Sequence, residues 1–327
     1  MGVKQRMKKR TEIIVAAVCS IMIVLMMIVS FAVGTFFRYY SMISVKEEDD
    51  YSDVLVSFSD ERETPSEEVV IELPEESVFY NKDVMNILLI GTDERTPEFN
   101  KASRADTIML MSLNKKTFDV KLVSFERDTY VAIPKVPYRN PDKLGHTFRF
   151  GGASLLMETL QTHFKVDVEK YVRVNFTVFQ KLVDEIGGVD IELTQVEANI
   201  LIKYTRKVFK KGKNHLDGEA ALCYARIRKI DSDFERVKRQ QNVIIGIKNS
   251  FKKKSVGELK QIVDECLPYV QSNLSAYECA YLLMNAGDYS KGKVSRKTIP
   301  DFKTFSTLER VSFKDNAKIL REFLNNE

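Results

Sequence analysis

Cysteine and histidine are scarce in this sequence, four and three among 327 residues, and neither is spaced for chemistry. No Cys-x-x-Cys pair or Cys/His cluster with zinc-ligand spacing occurs, which excludes a zinc site of the usual kind. His146, His163 and His215 show no triad or ligand spacing and are assigned to structure. Ser124 lacks the Gly-x-Ser-x-Gly elbow, which argues against a serine nucleophile. Internal repeats and a helix-turn-helix pattern are also missing, so repeat architectures and a DNA reader drop out. Cys19 lies in a long apolar run. The other three, Cys223, Cys266 and Cys279, cannot all pair within one chain, which leaves a Cys266–Cys279 bridge or free thiols as alternatives.

What is present is strongly segregated by charge. The tail MGVKQRMKKR carries five cations and no acid, and Ile13–Phe37 then runs 25 residues without a charge. About 20 apolar residues span a bilayer as a helix, whereas signal-peptide cores are about 7–15 residues long. The run therefore predicts an uncleaved anchor over residues 13–37, behind a cytoplasmic basic tail over 1–12. Cations before the span keep the N-terminus inside and place the rest of the chain outside. A localisation in the cell membrane follows, single-pass, with an extracytoplasmic domain.

Residues 47–83 hold 14 acids against two bases, with Pro65, Pro74 and several serines. Such a stretch repels itself and extends, so residues 38–83 read as an acidic extracytoplasmic linker. Two short apolar alternations within it, Val54–Phe58 and Val69–Leu73, fit an added edge strand or, as the preferred reading, part of that solvated stalk. Residues 84–327 keep a net charge of +10, which suits anionic ligands such as phosphates or anionic polymers.

From Asn86 the pattern turns regular. Ile87–Ile90, Thr107–Leu113, Val120–Phe125, Tyr171–Phe176 and Val189–Leu193 predict strands. Ser154–Phe164, a stretch capped by Thr177 and ending at Ile186, a helix capped by Asp217 through Ala225, and Asp233–Phe251 predict helices. Ser275-Ala-Tyr-Glu278 is a capping-box pattern that opens another. Interleaved strands and helices imply an α/β domain of α-β-α layers, a mixed central sheet flanked by helices and preceded by the N-terminal transmembrane helix.

Arginines fall at the ends of these apolar elements. Asp93 and Arg95 follow the first strand, Arg104 and Asp106 precede the second, and Arg127-Asp128 follows the third. Arg226 and Arg228 leave a helix at a spacing of two. Asp233, Arg236, Arg239 and Gln240 make one helical stripe, unless Arg239 turns to solvent. Any single Arg–Asp neighbour is most often a structural ion pair. Convergence would mean more, because guanidinium forks grip pyrophosphate bidentately. Two carboxylates, Asp93 and Asp106, suit a Mg²⁺ that bridges phosphate oxygens. Phosphoryl transfer asks little of a protein beyond positioning and charge neutralisation. The residues alone support an anion-binding enzyme.

The segments NILLIGTDER, RADTIML, SFERDTYVAIP, HTFRFGG, YVRVNF, VDEIGGVDIEL, HLDGEAALCYARIR and DSDFERVKRQ occur in order between Asn86 and Gln241. In content and spacing they resemble the LytR-CpsA-Psr family, over roughly half the chain. The resemblance implies a catalytic domain over 84–327 that moves a glycopolymer from a polyprenyl-pyrophosphate carrier to a peptidoglycan sugar hydroxyl in cell-wall assembly. It implies Mg²⁺ or Mn²⁺ as cofactor, held by Asp93 and Asp106. Arg95, Arg104, Arg127, Arg226, Arg228, Arg236 and Gln240 become the pyrophosphate grip. Arg127 and Asp233 become the catalytic residues, Asp233 assisting the acceptor hydroxyl. The expected partners are the polyprenyl-pyrophosphate-linked glycan, peptidoglycan and the membrane, with no nucleic acid. The lipid tail would lie among core residues between sheet and helices.

Two positions depart from the family pattern: Glu126 stands where it usually has Pro, and Gly145 where it usually has Asn. The polymer stays open among teichoic acid, capsule and other wall polysaccharides. Hydrolysis of the same carrier is an alternative, since water could replace the sugar hydroxyl. A non-catalytic binding or regulatory membrane protein, of the transcriptional-attenuator type, is another. Retention of Asp93, Asp106 and the arginines favours catalysis.

Overall fold

The computed structural model describes residues 71–94, 103–136, 141–227, 230, 233–252 and 254–325, with 26, 30, 32–38 and 40–43 near the N-terminus. The chain divides into two compact units, Met1–Met42 and Ile43–Glu327. In the first, residues 32–38 and 40–42 are helical. The basic tail and most of the expected 13–37 span lie outside the described residues. Among the described residues no helix is long and apolar enough to cross a membrane. Most of the acidic linker, with Val54–Phe58, also lies outside them.

The second unit is built on a six-stranded mixed sheet. Its strands are β1 (Val84–Thr92), β2 (Ala105–Asn114), β3 (Val120–Phe125), β6 (Lys170–Asn175), β9 (Gln271–Ser272) and β10 (Val294–Ile299), in spatial order β10-β3-β2-β1-β6-β9. Between them in sequence come the short β4 (Tyr130–Val131) and β5 (Asp142–Lys143) and the hairpin β7 (Val189–Leu193)–β8 (Gly212–Leu216). Beyond β10 lie β11 (Phe305–Thr307) and β12 (Arg310–Val311). β1 runs antiparallel to β2 and parallel to β6, so the C-terminal end of β1 lies beside that of β6 and the start of β2.

Side chains of successive strand residues point to opposite faces. Leu88, Ile90, Ile108, Leu110, Val123 and Phe125 pack on one face beneath α1 (Leu144–Phe164) and α9 (Phe313–Asn325). On the other face Ile87, Leu89, Met109, Met111 and Leu122 meet α5 (Asp233–Phe251) and α7 (Ala276–Met284), with Tyr289 of α8 (Ala286–Lys291). A separate core gathers α2 (Phe176–Glu185), α3 (Gln195–Thr205), α4 (Gly218–Ala225), α6 (Val256–Cys266) and the β7–β8 hairpin around Val183, Leu216, Tyr224 and Val243. Helices thus flank a mixed sheet on both faces, as expected.

Several local readings need correction. Helix α1 starts ten residues before Ser154, because non-helical backbone at Gly151 and Gly152 joins two helices across a kink. The cap of α2 is Asn175, whose side chain accepts from the Val178 N–H at 3.0 Å, and Thr177 lies inside the helix. Asp217 caps α4, and Ser275 with Glu278 forms the expected capping box at α7. Cys223, Cys266 and Cys279 are free thiols, so Cys266 and Cys279 do not bridge.

Candidate active site

Between the second face of the sheet and helices α2, α4 and α5 lies a cavity of about 620 Å³. Strand and helix geometry divide it into two zones. Leu89, Met109, Val172 and Val174 point up from the sheet, and Phe179, Leu182, Leu222, Val243, Ile244 and Ile247 close over them. This trough is apolar along its length. Polar side chains collect at one end, where β1 finishes, β2 begins and β3 finishes.

That end brings together Asp93, Arg104, Asp106, Arg127, Arg226, Arg236 and Gln240. These seven expected site residues come from five elements or their flanks. Arg95 and Arg228 lie outside the described residues, and so does the side chain of Asp233, whose backbone opens α5. On α5, Arg236, Gln240, Val243, Ile244 and Ile247 share one helical face at spacings of four, three, one and three. The helix therefore contributes both the polar mouth and the apolar wall. Arg239 joins neither the stripe nor the solvent. It is 3% exposed, and its guanidinium donates to Glu197 at 2.7 Å and to the Ile227 carbonyl at 3.0 Å.

Ion pairing sets how these groups are held. Arg127 is paired with Asp106, and its Nε lies 3.5 Å from Asp128. The Arg226 guanidinium sits 4.4 Å from the centre of the Phe176 ring, a cation–π contact at the border of mouth and trough. Arg236, 2% exposed, lies 3.3 Å from Glu126, which is fully buried. Glu126 therefore ties the end of β3 to the first turns of α5. Gly145 donates its N–H to the Arg127 carbonyl at 2.7 Å. A Cβ there would come within 2.9 Å of the Ala105 carbonyl and 3.2 Å of the Arg127 Cβ. Both departures from the family pattern thus border Arg127. Gly91 plays a similar part at the end of β1, where a Cβ would meet that of Thr107 at 2.9 Å.

A buried network behind the mouth was not anticipated. Arg173 on β6 pairs with Glu94, donates to Gln271 at 2.9 Å and Thr92 at 3.3 Å, and lies 4.7 Å from the Phe148 ring centre. Ser103 also bonds Glu94. Glu94 thereby joins the end of β1 to Ser103, just before β2, and to β6. YVRVNF shows a strand with a charge in it, but nothing local reveals that its partner lies 79 residues away.

The side chains left to structure are structural. Ser124 is buried and accepts from the Gln241 amide at 2.9 Å. His163 is fully buried, accepts from the Ala132 N–H at 3.0 Å and faces the Thr159 carbonyl at 2.9 Å. Burial pushes its pKa down to about 4, so it is neutral. His146 pairs with Asp142 and His215 with Asp190.

As a chemical object the cavity can hold an amphipathic anion, with its apolar part in the trough and its charge among four arginines. Among the described residues no cluster of three or more acidic, His or Cys side chains could hold a metal by itself. Asp93 and Asp106 at the shared mouth fit a different case. Mg²⁺ often takes only one or two carboxylates and completes its shell with phosphate oxygens and water.

These features, an α/β domain with an apolar trough under a cationic mouth, define a class that comparison with known proteins identifies. The LytR_cpsA_psr family matches residues 48–324, and the chain belongs to it. It is 37% identical over 170 residues to the polyisoprenyl-teichoic acid–peptidoglycan teichoic acid transferase TagU of Bacillus subtilis strain 168, covering 51% of this chain and 52% of that one. To the transferase TagT of the same strain it is 36% identical over 200 residues, covering 59% and 61%. The matched region thus spans about half the length of these curated relatives. Among solved structures, TagT with bound octaprenyl pyrophosphate lipid superposes with a TM-score of 0.56 at 25% identity, covering 75% of this chain and 90% of that one. TagT bound to LI-WTA gives a TM-score of 0.60 at 27% identity, with the same coverage.

Proposed function

We propose that this protein is a Mg²⁺-dependent phosphotransferase that moves a glycopolymer from a polyprenyl-pyrophosphate carrier to a peptidoglycan sugar hydroxyl. The observation that carries the reading is the cavity, an apolar trough ending in arginines and two carboxylates. The relatives named as teichoic acid transferases, and a neighbour with octaprenyl pyrophosphate bound, support it. They favour teichoic acid as the polymer.

In this reading the polyprenyl chain lies along Leu89, Met109, Val172, Leu182 and Ile247, and burial of its apolar surface supplies affinity. Arg104, Arg127, Arg226 and Arg236, with Gln240, hold the pyrophosphate and offset the charge that builds as the bond breaks. Arg95 and Arg228 join them. Asp93 and Asp106 would hold Mg²⁺, which supplies further neutralisation of phosphate charge when bound. The acceptor oxygen attacks the phosphorus that bears the glycan, the P–O–P bond breaks, and polyprenyl phosphate leaves. Asp233, at the start of α5, takes the hydroxyl proton. The chain works outside the cell, anchored by residues 13–37 with its N-terminus in the cytoplasm.

The test is to incubate the full-length protein in detergent with a short-chain polyprenyl-pyrophosphate glycan and a peptidoglycan oligomer, with and without Mg²⁺, and read products by mass spectrometry. A metal-dependent glycan–phosphate–peptidoglycan adduct is expected, lost in Asp106→Ala and Arg226→Ala. Free glycan phosphate without adduct would replace transfer by hydrolysis. Tight binding without any product would leave a binding protein.

A further inference from the structure

A run of cations on the described surface lies outside the cavity lining, between α3 and β8. Residues 202–214 carry six cations, Lys203, Arg206, Lys207, Lys210, Lys211 and Lys213, and no acid. Lys207 is neutralised locally, its ammonium 2.6 Å from both Asp217 and Glu219. The other five are exposed. Glu192, opposite Lys213 across the β7–β8 hairpin, offsets part of their charge.

The loop is built rather than trailing. Arg206 ends α3 in a left-handed conformation, φ 59°, with its N–H bonded to the Ile202 carbonyl. The Asn214 side chain straps the far side through Lys210 N–H at 3.1 Å, the Lys210 carbonyl at 2.6 Å and the Gly212 carbonyl at 2.8 Å. Interleaved with the cations, Ile202, Tyr204 and Val208 are 39%, 62% and 94% exposed. A face that met only water or a soluble polyanion would need the cations and not these apolar groups. An anionic bilayer uses both. Lys and Arg sit at its charged surface, while aliphatic side chains and a tyrosine ring enter the headgroup boundary.

We propose that the loop Ile202–Lys213 is a docking surface for an anionic phospholipid bilayer, independent of the transfer chemistry. Attraction of roughly fivefold per cation near the surface, screened by salt, makes the contact strong in sum and reversible. It would hold the domain against the leaflet.

The experiment places full-length protein in nanodiscs of phosphatidylcholine, alone or mixed with phosphatidylglycerol, and follows hydrogen exchange across 195–216. Exchange at 202–213 should slow by about tenfold in the anionic discs alone. High salt should abolish that protection, as should joint replacement of Lys203, Arg206, Lys210, Lys211 and Lys213 by Gln. Val208→Asp, at a site 94% exposed, should reduce it without touching any cation and guards against misfolding of the multiple variant. Equal exchange in the two discs would overturn the proposal. So would protection by soluble polyphosphate and not by anionic discs, which would assign the loop to a polyanion.

Discussion

The two faces of the central sheet use the same kinds of residue to opposite ends. On one, Leu88, Ile90, Ile108, Leu110 and Val123 are at most 2% exposed beneath α1 and α9. On the other, Leu89, Met109, Val172 and Val174 border a cavity of about 620 Å³. The difference lies in what the covering helices pack against. Helices α1 and α9 turn their apolar faces onto the sheet. Helices α2 and α4 bury much of theirs in a core of their own with the β7–β8 hairpin. They therefore roof the sheet without filling the space above it. Helix α5 belongs to both, since Val243 enters the second core and Ile244 and Ile245 meet the sheet. The Glu126–Arg236 pair secures its first turns to the end of β3.

The sharpest way to break this comparison is at the mouth. Arg226→Ala should lower transfer by at least about 100-fold, the scale for losing one preorganised donor. Its melting temperature should change little, because Arg226 contacts Phe176 at the cavity edge rather than closing a core. Next comes Glu126, which joins mouth to fold. Glu126→Ala leaves Arg236 without its buried carboxylate and should cost about 3–5 kcal/mol in denaturant unfolding, with Glu126→Gln costing less. On the closed face, Leu156→Ala should cost about 2–5 kcal/mol by opening a void at a fully buried site.

His163 offers a pH test of that face, where its ring lies 4.7 Å from Phe313. Its folded pKa of about 4 is below the ordinary 6.5, so the unfolded chain binds the proton more readily. The stability it contributes is present above pH 6.5 and is lost as pH falls from there toward 4, by about 3 kcal/mol. His163→Gln should flatten that portion of the pH–stability curve. The smallest effect is expected in the trough. Leu182→Ala, partly buried beside space that already exists, should cost less than the about 2–5 kcal/mol of a closed core site. It should instead weaken binding of polyprenyl pyrophosphate, read by calorimetry. Equal stability losses for Leu156→Ala and Leu182→Ala would erase the distinction between core and trough.

Legibility in the sequence followed how local each signal was. The ends of β3, β7, α4 and α5 coincide with their expected bounds, because apolar runs meet caps and turns there. Helix α3 lacks a clear apolar period in the sequence, although Thr194 and Glu197 form a capping box as plain as that of Ser275 and Glu278. Its short amphipathic run sits between a strand and a lysine-rich loop, with little period to show. The first half of α1 hid behind Gly151-Gly152, a signal that elsewhere ends helices. The place of Arg239 is not legible from its stripe, because a stripe gives spacing and not what faces it. Glu197, which claims its guanidinium, is 42 residues away.

By itself, then, the sequence determined the strand and helix alternation, the segregation of charge and the positions of Asp93, Asp106 and the arginines at element ends. Those depend on neighbours within a turn or a strand, and on the order of eight motifs. Only the tertiary structure decided that six of those side chains share one mouth with Gln240, that Glu126 pairs with Arg236, and that one face of the sheet borders a trough. Each is a relation between elements far apart in the chain, and no local period encodes how far one helix stands off a sheet.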